Sequence, residues 1–259
     1  MWNEGKSLVI ITGASRGLGQ AIAIQMARQC ENPHVVLISR PENDLKNTET
    51  QCIAQNSKCQ ITVHVADMLT ASKQDFETML EPLDVGIYDS IVVVHNAGSL
   101  GNQGTKVTDF DDLQEMQDYF RLNVFSVMLL NSVIVKKVGD KIKNKLVINI
   151  SSLAALQPFE TWGSYCSGKA ARDSLFKVMA AEEPTWTVLN YAPGPLDTKM
   201  IQDILDDSAT HENIKSAFEN LKSSNGLLQP ETSAKGLIQL LNSGAFKSGA
   251  HVDYFDIIS

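Results

Sequence analysis

Short, mostly apolar runs punctuate the chain, and each but the last precedes a longer stretch that reads as helical. The runs Ser7–Thr12 (SLVIIT), His34–Ser39, Ile61–Val65, Ile91–Val94, Leu146–Ile150, Trp186–Asn190 and Ala250–Phe255 read as strands. Helices are expected from the glycine-rich turn to about Cys30, then over roughly Glu42–Asn56, Thr70–Leu80, Asp112–Lys137, Trp162–Glu182 and Glu231–Leu241. The polar segment 199–228, rich in Asp, Ser and Asn, is expected to form a mobile helical lid. Strand and helix alternate without repeat or linker, which predicts one α/β domain over residues 1–259. Its core is a doubly wound parallel sheet of seven strands with helices on both faces.

At 259 residues the chain can bury a full core, and 43% hydrophobic with 20% charged residues is ordinary for a globular protein. A net charge of −8 without a basic stripe argues against nucleic acid or an anionic membrane surface as partner. No apolar run approaches the ~20 residues of a membrane helix. The opening residues, Met1 to Lys6, are polar and do not make a signal peptide. A cytoplasmic protein is expected. Four cysteines without CxxC pairing and five scattered histidines match no zinc spacing, so no metal is expected.

The first strand runs into Gly13-Ala14-Ser15-Arg16-Gly17-Leu18-Gly19 and then a helix. Strand, glycine turn and helix make a dinucleotide cradle of Rossmann type, because glycines admit a pyrophosphate to the backbone and the helix N-terminus supplies N–H groups. The same residues also fit the GxSxG elbow of hydrolases. That elbow follows several strands, whereas this turn follows the first, and no HGGG-type partner is present. Past the second strand an acidic residue would suit NAD and an arginine a 2′-phosphate. This chain has Arg40 there and Arg16 in the turn, which together point to NADPH. Asp67 and Met68 follow the third strand, where Asp67 could meet an adenine amino group or cap the next helix. Asn96 and Gly98 follow the fourth and let the backbone run close to the cofactor. Asn123 lies mid-helix, a position that often marks a local distortion.

Ser151 and Ser152 end the fifth strand, and Tyr165 lies thirteen residues after Ser152, with Lys169 four residues further on. Four residues are about one helical turn, so Tyr165 and Lys169 share a face. A phenol titrates near pH ~10, and an adjacent ammonium should draw it toward the range useful for acid–base catalysis. The Ser152 hydroxyl could hold a substrate carbonyl against that phenol. A lone Tyr-x-x-x-Lys arises by chance on many solvated faces. The serine offset and the glycine motif make chance the poorer account. Gly194, between Pro193 and Pro195, fixes an irregular loop beyond the sixth strand, where ligands bind in open α/β sheets.

Taken in order, TGxxxGxG, NAG, the mid-helix Asn, Ser, Tyr-x-x-x-Lys and PG resemble the short-chain dehydrogenase/reductase family. The segments NISSLAALQPFETWGSYCSGKAARDSLF, LNYAPGPLDTKM and FKSGAHVDYFD resemble the members that reduce pterin side-chain ketones, and the similarity runs from about Leu8 to Asp256. The resemblance implies Ser152 as the carbonyl-orienting hydroxyl and Tyr165 as the proton donor. Lys169 would bind the nicotinamide ribose and tune Tyr165, and Asn123 would hold a water. Gly13 to Gly19, Arg40, Asp67, Met68, Asn96 and the loop Leu196, Asp197, Thr198, Lys199, Met200 would line NADPH. Asp253 would anchor the pterin, with Ser151 a second substrate contact beside Gly194, and a homodimer is implied by analogy. His95 stands where much of the family has an asparagine. An NADPH carbonyl reductase of small or xenobiotic ketones is the alternative, against which the charged Asp253 argues. A cofactor-sensing protein on a dead reductase fold should have lost Tyr165 or Lys169, and both are present.

Overall fold

Seven parallel strands lie side by side in the order β3-β2-β1-β4-β5-β6-β7 in a computed structural model that describes residues 2–258. They are β1 (Lys6–Thr12), β2 (Asn32–Ser39), β3 (Gln60–Val65), β4 (Ser90–His95), β5 (Asn144–Ile150), β6 (Trp186–Ala192) and β7 (Ala250–Asp253). Helices α1 (Gly17–Gln29), α2 (Glu42–Gln55), α3 (Lys73–Leu80), α4 (Leu113–Phe120), α5 (Ser126–Val138) and α6 (Gly163–Glu182) connect them. After β6 come α7 (Lys199–Asp206), α8 (Glu212–Ser223) and α9 (Pro230–Ser243), and α10 (Tyr254–Ile258) follows β7. This is the Rossmann arrangement expected from the alternating pattern.

Period-two alternation sends neighbouring residues of each strand to opposite faces. Val9, Ile11, Val35, Leu37, Val92 and Val94 pack with Ile22 and Met26 of α1 and Leu237 and Leu241 of α9. Leu8, Ile10, Val36, Ile38, Ile91 and Val93 pack with Phe76 of α3, Leu130 and Ile134 of α5 and Phe176 of α6. Each such side chain contributes about 1.5–3 kcal/mol when fully buried. The two layers explain why the central strands β1 and β4 read as nearly unbroken apolar runs, whereas the edge strands β3 and β7 carry polar residues. Strand order reverses between β1 and β4, and the crevice beyond their C-terminal ends receives the glycine turn and Asn96.

Two elements differ from the pattern. The helix expected over Asp112–Lys137 is interrupted by a π-helical turn, Arg121–Phe125, with Asn123 at its centre. Leu113–Val138 is nonetheless continuous, and by length and composition alone it could cross a membrane. Its core-facing residues Leu130, Val133, Ile134 and Val138 are buried against the sheet, the position of a core helix. The last strand stops at Asp253, and Tyr254 and Phe255 open a helix instead of extending it. Asp253 Oδ1 accepts the Phe255 N–H (3.0 Å) while Asp256 Oδ2 accepts the Asp253 N–H (2.9 Å), a reciprocal cap that ends the strand. The segment 199–228 is helical as expected. Its helices α7 and α8 close over the crevice through Ile201, Ile204 and Ile214, which pack with Trp162 and Tyr165.

Candidate active site

The glycine turn is built to bring backbone to a ligand. Gly13 and Gly17 have φ of +68° and +55°, left-handed values that a side chain disfavours. A Cβ on Gly19 would stand 2.2 Å from the Gly13 carbonyl oxygen. The Asn96 amide donates to the carbonyls of Thr12 (3.0 Å) and Gly13 (3.1 Å), and Thr12 Oγ1 accepts the N–H groups of Asn96 and Ala97. Asn96 therefore locks the turn. No side chain caps the N-terminus of α1, so its first-turn N–H groups and dipole are directed outward, as an anionic pyrophosphate requires. The cradle fits a dinucleotide. Ala14 and Leu18 turn their side chains into the core, and Ser15 Oγ pairs with Ser39 Oγ at 3.0 Å, so the turn offers backbone.

Tyr165 and Lys169 lie one turn apart on the buried face of α6, with Lys169 Nζ 5.6 Å from the Tyr165 ring centroid. The ammonium donates to the Ile150 carbonyl (2.8 Å), which ties the helix to the end of β5. Ser152 follows at the mouth of the crevice, where its hydroxyl accepts the Ala154 N–H (3.2 Å). Trp162 meets Tyr165 edge to face at 5.5 Å and stacks on Phe218 of α8, forming an apolar wall.

The electrostatics differ from the expectation that Lys169 draws the phenol down. Burial raises the Tyr165 pKa above its ordinary value, while the Ser152 hydroxyl and the Arg172 guanidinium pull the other way. Burial likewise lowers Lys169 well below the usual ammonium value, with Arg172 adding to the fall and Asp173 opposing it. Loss of solvation outweighs the neighbouring charges at both groups. A phenol held protonated at neutral pH is in the form that can donate.

Arg172 and Asp173 were not foreseen. Arg172 is 1% exposed and donates from Nε to Asn149 Oδ1 (2.7 Å), from Nη1 to the Ala97 carbonyl (3.1 Å) and from Nη2 to the His95 carbonyl. Asp173 Oδ1 accepts from Ser151 Oγ (2.6 Å) and Asn149 Nδ2 (3.2 Å), and its Oδ2 bonds His251 Nδ1 at 2.6 Å. Ser151 is thus no substrate contact: its side chain is 2% exposed and committed to Asp173. The signal was in the sequence, since an arginine and an aspartate fall seven and eight residues after Tyr165, on the buried face of its helix.

The remaining expected residues frame the crevice unevenly. Arg16 is exposed at the head of α1. Arg40 Nη1 lies 3.8 Å from Asp67 Oδ2 in a solvent-exposed pair. Asp67 Oδ1 accepts the Leu69 N–H, whereas Ser72 caps α3, so the capping alternative for Asp67 is not met. Met68 is buried in the core, in one cluster with Phe76 and Leu80 of α3. Asn123 Oδ1 accepts the Ser99 N–H (2.8 Å) and its amide donates to the Tyr119 carbonyl (2.9 Å), bonds that hold the side chain in place. Gly194, at φ +76°, leaves no room for a side chain, since a Cβ there would stand 2.8 Å from Leu228 Cδ1. Beyond it Leu196 pairs with Leu228, Thr198 lies over Gly17, and Asp197, Lys199 and Met200 lead into α7. Asp253 is half-buried at the end of β7, opposite Ala192 of β6.

Residues 7–209 match the family model described as short chain dehydrogenase. The chain belongs to the short-chain dehydrogenase family. It is an oxidoreductase of small molecules, and its family works with a nicotinamide cofactor. This short-chain dehydrogenase is 39% identical over 257 residues to the sepiapterin reductase of Mus musculus, covering 97% of this chain and 98% of that one. It is also 31% identical to a benzil reductase ((S)-benzoin forming) of Bacillus subtilis (strain 168), covering 92% of this chain and 94% of the other. Among solved structures it is similar to the KRED1-Pglu enzyme, with a TM-score of 0.83, 26% identity, and coverage of 95% of this chain and 100% of that one.

Proposed function

We propose that this short-chain dehydrogenase uses NADPH to reduce the side-chain ketone of a pterin, with sepiapterin as substrate. The observation that carries the reading is a juxtaposition at one sheet edge. Ser152, Tyr165 and Lys169 gather beyond β5, two strands from the glycine turn that follows β1, and a carboxylate, Asp253, ends β7 two strands away on the other side. The resemblance to sepiapterin reductases over nearly the whole chain supports the same substrate.

Gly13 to Gly19, Asn96, Arg16, Arg40 and the loop Leu196–Met200 would hold the cofactor, which when bound supplies hydride to the carbonyl carbon. Ser152 orients the carbonyl oxygen, and Tyr165 donates its phenolic proton to that oxygen as charge develops. Lys169 stabilises the phenolate left behind and holds the ribose. Asn123 would hold a water, since its amide has a further N–H and its oxygen a further lone pair beyond the Tyr119 and Ser99 bonds. Asp253 accepts the paired N–H donors of the pterin edge, since one carboxylate oxygen can take a ligand bond beside the Phe255 N–H. Excluding water behind Trp162, α7 and α8 strengthens each of these contacts.

The whole chain acts as one NADP-binding domain, in the cytoplasm, and as a homodimer. Exposed Phe125 at the start of α5, Met128 on α5 and Val178 on α6 supply apolar surface for such a pairing. A second reading, a general carbonyl reductase, is favoured by the benzil reductase relative. Purified protein given NADPH with sepiapterin or benzil separates them: kcat/KM is expected to be higher for sepiapterin, and a higher value for benzil would overturn the pterin assignment.

A further inference from the structure

We propose that Arg172 and Asp173 are positioning residues for the reduction, fixing the Tyr165 helix, the Ser152 strand end and the Asn96 loop in one arrangement, with His251 extending that hold to the strand of Asp253. This rests on the reading of Tyr165 as proton donor.

Three successive residues at the end of β5 are each tied to a different side chain of α6. Asn149 bonds Arg172, Ile150 bonds Lys169, and Ser151 bonds Asp173, all immediately before Ser152. The position of Ser152 relative to Tyr165 is therefore set by these contacts. Arg172 also holds the carbonyls of His95 and Ala97, the two neighbours of Asn96, whose amide holds the glycine turn. On the other side, His251 of β7 binds Asp173 two residues before Asp253. Asn149 and Asn190 join β5 to β6 within the same buried layer (2.9 Å). One network thus reaches the cofactor cradle, the proton donor, the carbonyl-orienting serine and the pterin carboxylate.

A stability role alone is a poor account of these groups. Burying an arginine and an aspartate carries a desolvation penalty that well-packed apolar residues avoid. What the charged fork supplies is direction, because a guanidinium fixes several acceptors in one plane. Reactant geometry is where that matters, since a displacement of about 1 Å can cost ~10²-fold in rate.

The test compares Asp173→Asn and Arg172→Lys with wild type, counting competent protein by NADPH titration and measuring turnover of sepiapterin per binding site. Turnover per site is expected to fall at least ~10-fold, with KM for sepiapterin and NADPH affinity changed less than ~3-fold. A loss that appears only as fewer NADPH-binding sites would mean a structural role and overturn the proposal, as would turnover per site above half of wild type. Should both variants fail to fold, Ser151→Ala and His251→Gln perturb the network more gently. A severalfold fall per site supports the inference there, and unchanged turnover sinks it. Tyr165→Phe, measured alongside, tells the two failures apart. If that variant is inactive while the network variants are fully active, the positioning role falls and the donor stands. If it keeps wild-type turnover, the donor reading falls and the positioning role goes with it.

Discussion

Tyr119 lays its hydroxyl against Gly168 so closely that a β-carbon there would stand 2.7 Å from the oxygen and 2.8 Å from a ring carbon. The ring is buried, with Gly101 on its other flank, so it has little room to retreat. Gly168→Ala should therefore overpack the helix interface and cost about 1–3 kcal/mol, despite alanine's better helix propensity. Urea unfolding would measure it. The loss should shrink in a Tyr119→Phe background, which removes the nearest atom, and equal losses in both backgrounds would point to another cause.

Arg40 and Arg16 stand exposed at the open side of the glycine turn, where a 2′-phosphate would meet both. Each charge-assisted contact should contribute ~1.5–3 kcal/mol, which gives at least a tenfold preference for NADPH over NADH. Arg40→Asp should narrow or invert that preference. Equal kcat/KM for the two cofactors in the wild-type protein would refute the assignment.

Asp253 has two candidate jobs, since it also receives the Phe255 N–H at the start of α10. Asp253→Ala should lower kcat/KM for sepiapterin by about 2–4 kcal/mol, because the pterin donors lose a charged acceptor. Reduction of a small diketone without a pterin ring should be nearly unaffected. Parallel losses on both substrates would assign the residue to the cap alone.

His95 is fully buried, and burial with the nearby Arg172 charge lowers its pKa to about 3 from an ordinary 6.5. A histidine depressed in the folded state stabilises the fold above the unfolded pKa, and this contribution is lost as pH falls from 6.5 toward 3. The unfolded chain takes up a proton there that the folded chain refuses. Against a His95→Gln reference, wild-type stability should decline by ~1.4 kcal/mol per pH unit below that point. Unfolding curves across a pH series would show it, and a constant difference between the two proteins would contradict it.

The central strands were legible because strands covered on both faces are mostly apolar, and the glycine turn because few other residues tolerate its backbone. Tyr165 and Lys169 were legible from spacing, but the sign of the local electrostatics was not. Burial is a property of the assembled fold, and it outweighs the ammonium one turn away. Ser151 and Ser152 look alike in sequence, yet strand alternation gives Ser151 the phase of Val147 and Asn149, toward α6. The end of β7 was misread because Tyr254 and Phe255 suit a strand, although Asp253 and Asp256 carry the spacing of a helix cap. Arg172 and Asp173 could have been found by asking why the inner face of an amphipathic helix carries opposite charges.

The π turn at Arg121–Phe125 gives the helix that contains it two independent phases. Ser126 N–H reaches back five residues to the Arg121 carbonyl, so one residue more than an α-helical turn is accommodated there. Upstream, the phase of α4 points Tyr119 at Gly168; downstream, that of α5 points Leu130 and Ile134 at the sheet. Removing a residue to restore regular winding would rotate one half against the other by about 100°. Either the aromatic ring would leave α6 or the aliphatic side chains would leave the core. The irregularity works as a coupling between two surfaces whose angular requirements no uniform helix could meet together.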